Sequence, residues 1–93
     1  MILVVTYDLH QPGRDYPKIE ALLTTVSWAH PQGSVWLIDT LDTPATWRDR
    51  LRQSGDANDE YFVARLSPRE WASYNMDQPW PPGSTIRLGA GSD

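Results

Sequence analysis

The stretch Met1-Ile2-Leu3-Val4-Val5-Thr6-Tyr7-Asp8 begins with apolar and β-branched side chains at consecutive positions, the pattern of a strand buried on both faces. Such a strand belongs in the middle of a sheet, so the rest of the chain must supply its neighbours and a cover. Residues 9–14 (LHQPGR) break the strand with the turn pair Pro12-Gly13, and Asp15 stands where a side-chain oxygen caps a following helix. From Tyr16 onward, Tyr16, Ile19, Leu22, Leu23 and Val26 recur at helical spacing, which predicts a helix ending near Ser27. A helix this short is marginal alone, so its stripe must rest on the sheet.

Residues 28–33 (WAHPQG) read as a connector or a short irregular strand, because Pro31 cannot donate to a ladder and Gly33 weakens one. Residues 34–40 (SVWLIDT) are a strand with two apolar faces, Val35 and Leu37 against Trp36 and Ile38. One face is expected on helices and the other on a second subunit, with Trp36 and Ile38 at the dimer interface. Thr43-Pro44 opens a second helix and Gly55 closes it, giving residues 44–54 with a thin stripe of Trp47 and Leu51. Arg48, Arg50 and Arg52 then form a solvated face with Asp49 among them. After a polar turn at 56–59, residues 60–66 alternate Phe62, Ala64 and Leu66 with Tyr61, Val63 and Arg65, a further strand. Residues 67–93 carry Trp71, Tyr74, Met76 and Trp80, then Pro81-Pro82-Gly83 and a short edge-strand candidate at 85–88. Those aromatics hold too much apolar area to leave in water, so the tail is expected to pack on the core or on a partner subunit.

The element order is that of an α+β ferredoxin-like sandwich, an antiparallel sheet with two helices on one face, with a core over residues 1–66 and the aromatic tail over 67–93. A chain of 93 residues is one domain. The absence of cysteine excludes disulfides, thiolate zinc sites, cysteine nucleophiles and iron–sulfur clusters. Twelve acidic against eight basic residues, a net charge of −4, exclude a protein that holds nucleic acid by bulk positive charge. The apolar run at residues 1–5 is far too short to span a bilayer and no leader pattern precedes it, so a cytoplasmic protein without membrane contact is expected. Hydrolase elbows, phosphate-cradling loops and dinucleotide-binding glycine triplets are missing.

Asp8 ends a buried strand, where a carboxylate must be satisfied by a hydrogen-bonding loop or by a metal ion. Capping of the turn that follows is the competing role, since Asp is a favoured turn residue. His10, two residues on, leaves on the same face if the strand continues, and there it would serve as a base. Arg14, Lys18 and Arg65 are the candidate nucleic-acid contacts, through phosphate.

Val5-Thr6-Tyr7-Asp8-Leu9, the basic residues Arg14 and Lys18, and Gln32-Gly33-Ser34-Val35-Trp36 together resemble the CRISPR-associated small endonuclease family, the second of the two universal adaptation proteins. The resemblance runs from Met1 to about Leu66. It implies a ferredoxin-like homodimer in which Asp8 of each subunit lies near the twofold axis and holds Mg²⁺ or Mn²⁺, with Tyr7, Ser34 and Val35 as framework. RNA or DNA would be the substrate, and an integrase or an antitoxin the partner. His30, Pro31, the acidic charge and the segment Trp71 to Trp80 depart from that pattern. They bring the chain closer to free-standing relatives, with virulence-associated protein D-like toxins as kin. A non-catalytic dimeric module with the same fold is the alternative.

Overall fold

A computed structural model describes residues 1–67. Six elements follow one another: β1 (Ile2–Asp8), α1 (Pro12–Leu23), β2 (Ser27–Gln32), β3 (Val35–Asp39), α2 (Pro44–Ser54) and β4 (Glu60–Arg65). They build one four-stranded sheet in the order β2-β3-β1-β4, in which every neighbouring pair is antiparallel. This is an α+β architecture with the connectivity of two interleaved split β-α-β units. β1 is central, as its double apolar character requires. The expectations for the aromatic tail at 67–93 lie outside the described residues, Ser67 excepted.

Register decides which side chains meet the helices. Leu3 stands opposite Ile38, and Val5 lies between Trp36 on β3 and Val63 on β4. Because alternate residues take alternate faces, Leu3, Val5, Trp36 and Ile38 share one face, where they pack with Ile19 and Leu23 of α1 and Trp47 and Leu51 of α2. Trp36 is 1% exposed and Ile38 0%. The expected dimer interface at Trp36 and Ile38 is therefore corrected: both residues are the centre of the chain's own core. β3 is apolar on both sides, so its own pattern could not choose the covered face; its register against β1 does. On the second face Ala29 and Leu37 form a smaller cluster with Ile2, Val4 and Leu66, and Phe62 stands exposed.

α1 begins at Pro12 and not after Asp15. Proline has a fixed φ suited to the first helical position, and its missing N–H has no partner there in any case. Gln11 is the N-cap, and its carbonyl accepts from the amides of Arg14 at 3.0 Å and Asp15 at 2.9 Å. The helix also stops early, at Leu23, where the Thr24 hydroxyl donates to Glu20 O at 2.8 Å and the Thr25 hydroxyl to Leu22 O at 2.7 Å. Residues 27–32 are thus free to form β2, an edge strand whose pairing with β3 shifts register between Ala29 and Gln32. Pro31 lies inside that irregularity, which spares the ladder a missing donor.

α2 keeps the expected bounds. The Thr43 side chain caps it, accepting from Thr46 N at 3.2 Å, and Pro44 follows at the first turn. Thr43→Ala is expected to lower stability by about 1 kcal/mol, the usual cost of losing a hydroxyl N-cap. Urea unfolding should show this as a lower midpoint with an unchanged slope.

Candidate functional site

Three connections meet at one end of the sheet: the loop after β1, the turn between β2 and β3, and the loop between α2 and β4. Tyr7 N–H donates across to Ser34 O at 3.3 Å, tying the β2–β3 turn to the end of β1. Asp8 closes β1 here, exposed and directly opposite Glu60 across the ladder. By strand alternation it shares the second apolar face with Ile2, Val4 and Thr6. Thr6, Asp8, Glu60 and Phe62 border a shallow groove. Among the described residues the Asp8 carboxylate has no hydrogen-bond or ion-pair partner. Like charges directly opposed on neighbouring strands destabilise a sheet, so folding alone gives no reason for Asp8 and Glu60 to face one another.

The other candidates are placed less compactly. β1 ends at Asp8, and His10 falls in the bend that follows. Strand alternation therefore does not carry the imidazole to the face of Asp8. The loop is instead anchored through the His10 backbone, whose N–H donates to Asp59 Oδ1 at 2.6 Å. Arg14 is exposed in the first turn of α1, at the same end as Asp8, with Lys18 about one turn further along the helix. Arg65 stands opposite Leu3, at the far end of β4. Five residue steps along the strand separate it from Glu60, about 17 Å at the usual rise. The structure thus brings Arg14 to the end that bears Asp8 and leaves Arg65 away from it. The arginines of α2 are engaged locally: Arg48 and Arg52 flank Asp49 at 3.0 Å and 3.9 Å, and Arg50 pairs with Asp42 at 2.9 Å while lying over the Trp47 ring.

A partly buried polar network at this end escaped sequence reasoning. Asp59 accepts three hydrogen bonds: from His10 N, from Asp56 N at 2.7 Å and from the Tyr61 hydroxyl at 3.1 Å. These donors hold its carboxyl below the ordinary range against the opposing effect of burial. Asp15 reaches Asp59 from the first turn of α1, is 2% exposed, and its Oδ2 meets no donor among the described residues. Burial pushes the Asp15 carboxyl up, and the hydrogen bond to Asp59 adds to that shift. The Tyr61 phenol is also raised, by burial and then by Asp59. Gly55 completes the contact, for a Cβ there would overlap Tyr61 Oη and lie 2.6 Å from Asp59 Oδ2. The sequence did hold one signal. Asp15, Ile19 and Leu23 are spaced i, i+4, i+8, so once Pro12 is taken as the first helical residue, a carboxylate stands on the buried stripe.

A second network is aromatic. Trp36 Nε1 donates to Tyr7 Oη at 3.0 Å, and the Tyr7 hydroxyl donates to Gly33 O at 3.4 Å. His30 stacks on Trp36 with centroids 4.0 Å apart, and its Nε2–H donates to Gly33 O at 2.8 Å. That tautomer leaves Nδ1 to accept from Tyr16 Oη at 3.4 Å. His30 is accordingly a packing and hydrogen-bonding residue. Burial pushes the Tyr7 phenol up to about 12.

A scan against protein-family models gives no match, and a search of curated proteins finds no relative. No helix among the described residues is long and apolar enough to cross a membrane.

Proposed function

We propose that this chain is a homodimeric, metal-dependent phosphodiesterase acting on RNA or DNA, related to the small CRISPR-associated endonucleases or to their free-standing toxin-like kin. The observation that carries this proposal is the position of Asp8: an exposed carboxylate without a partner among the described residues, at the end of the central strand, opposite a second anion and on the apolar face that bears no helix. Docking of two copies through that face, with Phe62, Ile2 and Val4 among the buried residues, would set the two Asp8 side chains near a twofold axis. A phosphodiester is repelled by Asp8 and Glu60 unless a cation stands between them. Mg²⁺ and Mn²⁺ suit the donor set, since Mg²⁺ is commonly held by one or two carboxylates and keeps several waters. When bound, such an ion supplies an activated water and neutralises charge developing on the phosphoryl oxygens. Asp8 of each subunit would hold it. The His10 imidazole, on the loop anchored by Asp59, would take the proton of the attacking water. Arg14 and Lys18 would meet the nucleic-acid backbone.

The alternative, a dimeric binding module without this chemistry, draws support from the scattered cations: Arg65 lies at the wrong end of β4 for a phosphate bound beside Asp8.

Asp8→Asn removes charge with little change of shape, so it decides between the two. The wild-type protein is expected to gain several degrees of Tm from Mg²⁺ or Mn²⁺ through preferential binding to the folded state, and to cleave single-stranded RNA or duplex DNA. In Asp8→Asn both effects should vanish while light scattering still reports a dimer. Wild-type protein that gains no stability from divalent metals and cleaves neither substrate across metals and pH would sink the phosphodiesterase and leave the dimeric module.

A further inference from the structure

We propose that Asp15 and Asp59 form a one-proton latch: a single proton shared by the two carboxyl groups ties the first turn of α1 to the loop between α2 and β4 and, through His10, to the loop after β1. This inference stands independently of the phosphodiesterase proposal, since it concerns how the three segments are held together.

The geometry leaves one place for the proton. Among the described residues every donor that approaches the pair points at Asp59: the amides of His10 and Asp56 and the hydroxyl of Tyr61. Three donors favour the ionised form of their acceptor, so Asp59 is the carboxylate. Asp15, at 2% exposure, has no donor for Oδ2. An ionised Asp15 would therefore be a buried anion with an unsatisfied oxygen beside a half-buried one. A neutral Asp15 removes both difficulties, because its O–H donates to Asp59 and the fourth hydrogen bond on Asp59 comes from α1. The charged and titratable groups that face Asp15 reinforce this assignment. Asp59 and Asp56 from the loop disfavour a negative charge on it, and among the described residues Arg14, on its own helix, favours one, while the neutral Tyr61 phenol on β4 spends its proton on Asp59.

The sign of the pH dependence follows. Asp15 takes its proton more readily folded than unfolded, so its contribution is complete below the ordinary aspartate range and is lost as pH rises through its folded value. Asp59 behaves oppositely, contributing above the ordinary range and losing its contribution as pH falls through its lowered value. The latch is thus strongest in the interval where the pair holds one proton. Above that interval the two anions repel, and the contact between α1 and the loops opens first.

Asp15→Asn tests this directly, because the amide donates to Asp59 at every pH. As pH rises from the ordinary aspartate range to mildly alkaline conditions, wild-type Tm is expected to fall by several degrees relative to the variant, whose Tm should be the higher of the two at the alkaline end. His10 and His30 are present in both proteins, so the difference reports Asp15. Amide exchange at fixed alkaline pH should show His10 and Asp56 better protected in Asp15→Asn than in wild type. Carboxyl carbon NMR of the wild-type protein supplies a readout free of mutation: one aspartate should titrate above the ordinary range and one below it. Parallel Tm profiles for the two proteins, or aspartates that all titrate in the ordinary range, would overturn the latch.

Discussion

Replacing Trp36 with alanine is expected to cost about 3–5 kcal/mol, the usual range for truncating a buried aromatic residue. Small domains have some 5–15 kcal/mol in all, so this variant should be largely unfolded or close to it. The size of the effect comes from what the indole touches. It is 1% exposed, sandwiched in the cluster of Leu3, Val5, Ile19 and Trp47, and it stacks on His30 and packs at a tilt against Trp28. Its Nε1–H also satisfies the Tyr7 oxygen at 3.0 Å. Trp36→Phe keeps most of the volume and loses that donor, so about 1 kcal/mol is expected for it. In Trp36→Phe the Tyr7 phenol should rise further, because the indole N–H is what lowers it against burial. Urea unfolding at two protein concentrations separates core from interface: loss of a core residue lowers the midpoint at both, whereas an interface residue would leave a folded chain that dissociates on dilution. Folded, monomeric Trp36→Ala would contradict the packing described above.

That contrast between Trp36 as interface and Trp36 as core shows where a single sequence stops being readable. β1, β3, α2 and β4 announce themselves locally, through an unbroken apolar run, a double apolar face, a Thr-Pro start with a glycine stop, and period-two alternation. Their order is enough to give the class of fold. The face of β3 that receives the helices is a different kind of fact. Trp36 and Val35 are both apolar, and only the pairing of Val5 with Trp36 and Leu3 with Ile38 settles the choice. α1 was displaced for a local reason: Pro12-Gly13 resembles a turn, yet proline at the first helical position starts a helix equally well. That shift hid the one carboxylate on its buried stripe. Asp15 and Asp59 are far apart in sequence and lie on different elements, so no spacing rule joins them. Asp8, by contrast, was legible as a candidate because the end of a strand is a local feature; its neighbour Glu60 is a matter of register.

Gly55→Ala should destabilise the protein by roughly 1–2 kcal/mol, an unusual outcome for the gentlest of substitutions. Backbone conformation is not the cause. Gly55 has φ −108°, which any residue adopts, and a Gly-to-Ala change at such a site would ordinarily stabilise by about 0.4–1 kcal/mol through the unfolded chain. The obstacle is space, since a Cβ would overlap Tyr61 Oη, approach Asp59 Oδ2 to 2.6 Å and lie 3.1 Å from Tyr61 Cζ. Tyr61 cannot swing away freely, because its hydroxyl donates to Asp59 and its ring packs on the core beside Val63. Relief requires overpacking strain of about 1–3 kcal/mol or loss of a hydrogen bond to a charged acceptor, worth about 1.5–3 kcal/mol. Tyr61→Phe removes the hydroxyl that causes the worst overlap. In that background Gly55→Ala should therefore cost at least about 1 kcal/mol less than in wild type, a coupling that a double-mutant cycle in urea measures directly. Tyr61→Phe alone leaves Asp59 with two donors in addition to Asp15, so its own cost should stay near that of one hydrogen bond. Gly55→Ala that equals or exceeds wild-type stability, or a cycle with no coupling, would mean that the ring yields without resistance and that Gly55, Tyr61 and Asp59 are not held as one rigid contact.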